Sequence, residues 1–243
     1  EIEAYSATGP AANLSLSPTL SAPGTGVYSI WPGDEHREAA GTSMAAPEVA
    51  GAVAQILQAK GWTTRTPGLP ARVAALLYAS ATPILSSDPG NPSRLDAVVR
   101  QGAGVVNLQK ALSATVTASP ASLRLGEGTS HSVTMSLNNT GSRSVTYRVS
   151  AASGLSLAPS SGARMNTGND TPDRAFGEVG FTAPRTVTVE ANSTTKVTVR
   201  ITAPAKVLKG RQGLLYGGWV RFSATDSPTV SVPFLGVRGD YQK

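Results

Sequence analysis

The sequence predicts two units of different class, an α/β first part followed by an all-β sandwich. Three observations predict this. Apolar residues recur at helical spacing over 42–60 and 70–80, among Gly- and Pro-rich loops. From residue 115 the apolar period is two, in short runs separated by turn residues. The composition changes near residue 113, and 243 residues suffice for two domains. The boundary is drawn accordingly, with 1–112 as the first unit and 113–243 as the second.

In the first unit, Ala45, Val49, Ala52, Val53, Ile56 and Leu57 form one face of a helix over 42–60, with Gly61 as its C-cap. Pro47 falls early in this helix, where first-turn amides lack partners. Ala45, Ala46, Ala50, Gly51, Ala52 and Ala54 are small, so the helix is expected to lie buried against its neighbours. Pro70 to Ser80 is a second helix, carried by Val73, Ala74, Leu76 and Leu77. Asn107 to Leu112 is a third, after Gly102-Ala103-Gly104.

In the second unit, Val133/Met135/Leu137, Val145/Tyr147/Val149, Val187/Val189, Val197/Val199/Ile201 and Val230/Val232/Phe234 alternate with polar residues. Trp219, Val220 and Phe222 add a strand. Turns are expected at Asn138–Gly141 and Ala191–Thr194, and a long exposed loop over 160–173. Repeated short strands of this spacing read as a sandwich.

Composition excludes several chemistries. The chain has no cysteine, which removes disulfides, thiolate metal sites and a cysteine nucleophile. His36 and His131 are its two histidines, so a multi-histidine metal site is not expected, and no metal or cofactor is. Net charge is +6, but Lys and Arg are scattered singly, so no nucleic-acid partner is expected. No apolar run approaches the ~20 residues of a membrane helix. The first residues, Glu1-Ile2-Glu3, are neither a leader nor an initiator Met, which suggests a processed piece. N-x-Ser/Thr triplets at Asn13, Asn138, Asn169 and Asn192 are candidate glycosylation sites in a secreted glycoprotein.

The chemistry-bearing block is Gly41-Thr42-Ser43-Met44-Ala45-Ala46-Pro47-Glu48-Val49-Ala50-Gly51. It sets Ser43 at a glycine-preceded helix N-terminus. There the positive end of the helix dipole and the Ser43 N–H favour a developing oxyanion. On position alone, Thr42 or Ser43 as an ordinary N-cap is the competing reading. The block resembles the nucleophile signature of subtilisin-like serine proteases, Gly-Thr-Ser-Met-Ala-x-Pro-His-Val-Ala-Gly, and departs from it at Glu48. Leu16–Gly24, with Thr19 in place of Asp, is similar to the family's Lys-Pro-Asp-Val-x-Ala-Pro-Gly segment. Val27-Tyr28-Ser29 resembles the strand after it, and Ala71–Thr82 the helix ending in Thr-Ala-x-Pro. Gln101–Asn107 resembles the Gly-x-Gly-x-(Val/Ile)-(Asn/Asp) that closes the protease domain. The later strands, ending Tyr216–Trp219 and Val232–Val237, resemble the fibronectin-III-like domain of large secreted subtilases.

The resemblance implies a fold and an activity. Residues 1–112 are expected to be the α/β C-terminal part of a subtilisin-like parallel-sheet domain, and 113–243 an all-β fibronectin-III-like sandwich. The implied function is that of the C-terminal segment of a secreted subtilisin-like serine endopeptidase. Ser43 would be the nucleophile and its N–H an oxyanion donor. The family's catalytic Asp and His and its oxyanion Asn lie upstream of the serine, in motifs absent from this chain. A serine nucleophile needs its base and the group that orients it. The isolated chain is therefore expected to be inactive until complemented by the N-terminal protease segment of the same protein. Asp34, His36 and Ser43 run in triad order, but Asp34 and His36 are expected in a short Gly/Pro-bounded loop as a solvated pair. His131 is expected on the surface, and Trp31, Trp62 and Trp219 as packing residues. The alternative is a non-catalytic binding protein, carbohydrate-binding, lectin-like or adhesive, built from a subtilase remnant.

Overall fold

The structure is a computed structural model that describes residues 1–87, 92–158, 173–175, 178–205 and 213–239. The loop expected over 160–173 and the sequon at Asn169 lie outside these residues, apart from Asp173.

The chain forms a hairpin, β1 (Val27–Trp31) and β2 (Glu35–Ala39), then helices α1 (Thr42–Lys60), α2 (Leu69–Ser80), α3 (Val98–Gln101) and α4 (Leu108–Ser113). Strands β3 (Val116–Ser119), β4 (Leu123–Glu127), β5 (Ser130–Asn139) and β6 (Val145–Ser153) follow. The short strands β7 (Ser156–Ala158), β8 (Asp173–Ala175), β9 (Gly180–Thr182) and β10 (Thr186–Val189) come next. The chain then runs through β11 (Ser193–Thr202), β12 (Leu214–Ser223) and β13 (Val230–Arg238).

Two sheets form the sandwich. One has the order β10-β6-β12-β13-β4, with β7 beside β12 and β8 beside β7; the other has the order β3-β5-β11-β9. Met135, Leu137, Val197, Val199 and Ile201 from the smaller sheet meet Tyr147, Val149, Val220, Phe222, Val232 and Phe234 from the larger. These are the alternating positions the sequence marks, because a strand presents every second side chain to one face.

β12 and β13 depart from alternation. Leu214–Val220 and Val230–Val237 are buried at every position. The larger sheet has a second covered face: Leu215, Leu235 and Val237 pack with Ala97, Val99, Leu155 and Leu157. Trp219 packs with Leu16 and Val98. The first unit thus lies on the back of the sandwich as a third layer. A strand buried on both sides reads as a continuous apolar run.

In the first unit, Ile56 of α1, Leu76 and Leu77 of α2 and Ala111 of α4 form a small core. Among the described residues, parallel pairing here consists of two isolated bridges, Ser21 to Val105 within the unit and Leu95 to Gly154 joining it to the sandwich. α1 was expected buried; instead Ala52 and Ile56 are its buried residues, and Ala46, Pro47, Ala50, Gly51 and Ala54 are exposed. Among the described residues, none covers that small-residue face. Asn138 and Asn139, expected in a turn, end β5, and Ser193 and Thr194 begin β11.

Candidate active site

Ser43 is the second residue of α1, and the turn before it fixes its place. Gly41 is the N-cap at φ 151, a conformation favoured by glycine. Its N–H donates to the Gly24 carbonyl at 2.7 Å, and its own carbonyl accepts from the Met44 N–H at 3.0 Å. No side chain caps the helix, so neither Thr42 nor Ser43 serves as the N-cap. Ser43 is exposed, and among the described residues neither its hydroxyl nor its N–H has a hydrogen-bond partner.

Pro47 does not sit in the first turn as expected. It is the sixth helical residue, beyond the four amides that lack partners at a helix start. The N–H it lacks is the one that would serve the Ser43 carbonyl in an i to i−4 bond. The proline therefore leaves the backbone of Ser43 outside the helical ladder at its carbonyl as well as its amide.

Ser43 lines a cleft of about 510 Å³ between α1 and the hairpin. Glu48 and Gln55 line the helix side; Val27, Ser29, Trp31 and Arg37 line the hairpin side. Glu48 is exposed and makes no ion pair among the described residues. Arg37 stands 5.8 Å over the Trp31 ring and pairs with Glu35. Trp31 was expected to pack, yet it is 39% exposed, and Tyr28 and Ile30 are 70% and 78% exposed. Trp62 is half-buried against the α1–α2–α4 core.

His36 lies on β2, not in a loop, and Asp34 occupies the hairpin turn at φ 59. The register pairs His36 with Ile30 and Arg37 with Ser29. Alternation then sends Arg37 and Ser29 toward the cleft and His36 to the opposite face, where its ring stacks on Tyr28 at 5.7 Å. Asp34, His36 and Ser43 are not brought together. His131 is half-buried on β5, and its Nε2 is buried without a partner among the described residues, so it is not the surface residue expected.

Several structural residues near the site were missed in the sequence. Gln101 is fully buried; its Oε1 accepts from the Ile84 N–H at 2.8 Å, and its Nε2 donates to the Ile84 and Asp96 carbonyls. Asp96 is buried and pairs with Arg100 at 2.8 Å, and Arg100 also donates to the Ile2 carbonyl. Gln101 is bound by Ile84, remote in sequence, whereas Asp96 is satisfied locally, by the Ala97 N–H and by Arg100 four residues on. Trp219 packs as expected but also donates its indole N–H to the Ala103 carbonyl at 2.9 Å. Among the described residues no cluster of three metal-ligating side chains occurs, and no helix is long and apolar enough to cross a membrane.

Residues 1–109 match the subtilase family, and residues 109–235 match an Fn3-like domain. The chain carries an Fn3-like domain, preceded by a segment that matches the subtilase family. The chain is similar to the PI-type proteinase of Lactococcus lactis subsp. cremoris, 26% identical over 98% of this chain and 13% of the relative. It is also similar to the C5a peptidase of Streptococcus pyogenes, 28% identical over 99% of this chain and 21% of that protein. The chain thus spans between about an eighth and a fifth of the length of these curated relatives. Among solved structures, an ASH/PapD-like domain of human CEP192 overlaps 52% of the chain and 86% of its own, at 17% identity and TM-score 0.34. So low a score carries no weight. The subtilase segment holds the Ser43 block, and the Fn3-like segment is the sandwich behind it.

Proposed function

We propose that this chain is the C-terminal segment of a secreted subtilisin-like endopeptidase and supplies its nucleophile. Ser43 Oγ attacks the scissile carbonyl of a peptide or protein substrate in the cleft between α1 and the hairpin. The Ser43 N–H, at the positive end of α1, donates to the oxyanion that forms. The base, the carboxylate that orients it and a side-chain oxyanion donor come from a segment outside this chain. The observation that carries this reading is the state of Ser43. Within the family's nucleophile block and among the described residues, its hydroxyl and N–H are unpartnered, exposed and set in a cleft without an imidazole.

One open surface supports the reading that a companion segment binds here. The exposed Ala46/Ala50/Ala54 side of α1 adjoins a concavity of about 670 Å³ lined by Ile2, Tyr5, Leu20, Ala45, Ala46 and Val49. Small residues allow close backbone approach there. Asn13, Asn138 and Asn192 are exposed and are the glycan acceptors of the extracellular form.

A fluorophosphonate probe tests the proposal. The 243-residue chain alone is expected to label at background. Mixed or co-expressed with the Asp- and His-bearing segment, it is expected to label at Ser43, with labelling abolished by Ser43→Ala. Strong labelling of the chain alone, or labelling that survives Ser43→Ala, overturns the reading.

A further inference from the structure

The sandwich reaches the nucleophile turn through backbone. Trp219 points from the back of β12, fully buried between Leu16 and Val98 of the first unit. Its indole N–H holds the Ala103 carbonyl at 2.9 Å. The Ala103 N–H in turn donates to the Thr19 carbonyl at 3.0 Å. Ser21 extends this contact. Its N–H donates to the Gly104 carbonyl, its carbonyl accepts from the Val106 N–H, and its hydroxyl donates to the Gln101 carbonyl. Three residues later the Gly24 carbonyl takes the Gly41 N–H at 2.7 Å, and Gly41 starts the helix that carries Ser43.

Two close approaches make this path stiff. A Cβ on Gly102 would lie 2.4 Å from the Thr19 carbonyl carbon, so 102 and 19 touch backbone to backbone. A Cβ on Gly24 would lie 2.8 Å from the Gly41 carbonyl oxygen and 3.2 Å from the Ala45 Cβ. Close-packed interiors transmit small displacements rather than absorb them. Loss of the anchor at Ala103 therefore shifts 19–24 and, through Gly41, the first turn of α1.

We propose that Trp219 is a positioning residue for Ser43, by which the Fn3-like domain fixes the start of the nucleophile helix. This rests on the reading of Ser43 as nucleophile. The role is distinct from packing: a phenyl ring in place of the indole keeps most of the apolar contact and loses the one hydrogen bond. Misplacement by a fraction of an ångström acts on the chemical step more than on substrate binding, since effective concentration depends steeply on geometry.

Amide hydrogen exchange in the full 243-residue chain tests the relay without requiring activity. Trp219→Phe is expected to speed exchange at Ala103, Ser21 and Gly41 by about tenfold or more, while Met135 and Leu137 in the sandwich core keep their rates. Ser21→Ala, which removes only the hydroxyl bond to Gln101, is expected to speed Gly41 in the same direction and serves if the Phe variant fails to fold. Unchanged exchange at Gly41 in the folded variants overturns the proposal. In the enzyme complemented with the Asp- and His-bearing segment, Trp219→Phe is expected to lower kcat about tenfold with KM unchanged. A rise in KM at constant kcat also overturns it. Labelling that persists in Ser43→Ala instead removes the nucleophile reading, and leaves the exchange relay to be judged on its own rates.

Discussion

Tyr216 offers a test of the sandwich core that reads a single hydroxyl. Its side chain is fully buried, and among the described residues its hydroxyl has no hydrogen-bond partner. Burial pushes its pKa up from the ordinary 10.0 to about 12. The ring lies across β13 on Gly236, its register partner, where an added Cβ would sit 2.4 Å from the ring. Between pH 10 and 12 the unfolded chain releases this proton and the folded chain keeps it. The folded state then binds more protons, so stability falls as pH rises through that window. A two-unit shift corresponds to ~2.7 kcal/mol lost by full titration, about half of it by pH 11. Tyr216→Phe removes this share of the loss. It also removes an unpartnered buried hydroxyl, so at pH 7 the variant is expected to be as stable as wild type or more stable by about 1 kcal/mol. Urea unfolding at pH 7, 9.5 and 11 measures both effects. Tyr147, raised by burial and by the nearby Asp226 carboxylate against the lowering effect of its Ser227 hydrogen bond, leaves a residual alkaline slope in the variant. Equal alkaline losses in the two proteins, or a clear destabilisation of Tyr216→Phe at pH 7, refute the reasoning.

Gln101→Leu leaves the Ile84 N–H and the Ile84 and Asp96 carbonyls without their side-chain partner. The Ile84 carbonyl still takes the Asp96 N–H, so two groups are left unsatisfied; at roughly 1–3 kcal/mol for each, a loss of about 2 kcal/mol or more is expected, measured by urea unfolding. Ile56→Ala empties the centre of the α1–α2–α4 core, where Ile56 is fully buried, and is expected to cost ~2–5 kcal/mol in the same assay. His36→Ala removes a ring that faces away from the cleft. The complemented enzyme is expected to keep its fluorophosphonate labelling rate, and a loss of tenfold or more would show that His36 takes part in the chemistry.

Helices α1 and α2 were legible because each shows a sustained apolar period and a glycine or proline boundary, whereas α3, four residues long, is too short to show a period. α1 begins at Thr42 and ends at Lys60 before Gly61, as its pattern dictates. β5, β6 and β11 were legible because one face meets the core and the other meets water. β2 was not. Its sequence, Glu-His-Arg-Glu-Ala, has no apolar alternation, since the hairpin is exposed on nearly all sides. Its pairing with β1 is written in the backbone alone. The Ser43 block was legible through its resemblance to the subtilase nucleophile signature, since a serine at a helix start is by position alone equally an ordinary N-cap. The wall of its cleft was not, because it is built from that same hairpin. Gln101 was hidden for a different reason: a buried polar side chain is explained by its partners, and its partner Ile84 is reached through the fold.

The continuous burial of β12 and β13 bears on how the two units relate. An appended sandwich has a solvated outer face, and its strands alternate throughout. Here the outer face of the larger sheet carries Leu215, Trp219, Leu235 and Val237, buried against Ala97, Val98 and Val99, which precede the sandwich in sequence, together with Leu155 and Leu157. The same contact supplies the subtilase segment with a surface it lacks, because its own core is confined to a few side chains around Ile56. Each unit therefore completes the other's burial. The apolar run Leu214–Val220, which looks too hydrophobic for a two-layer sandwich, is the sequence mark of that third layer. The side of α1 bearing Ala46, Ala50 and Ala54 has no such complement within the described residues. The sandwich covers one flank of the subtilase segment and leaves open the other, the flank on which Ser43 opens.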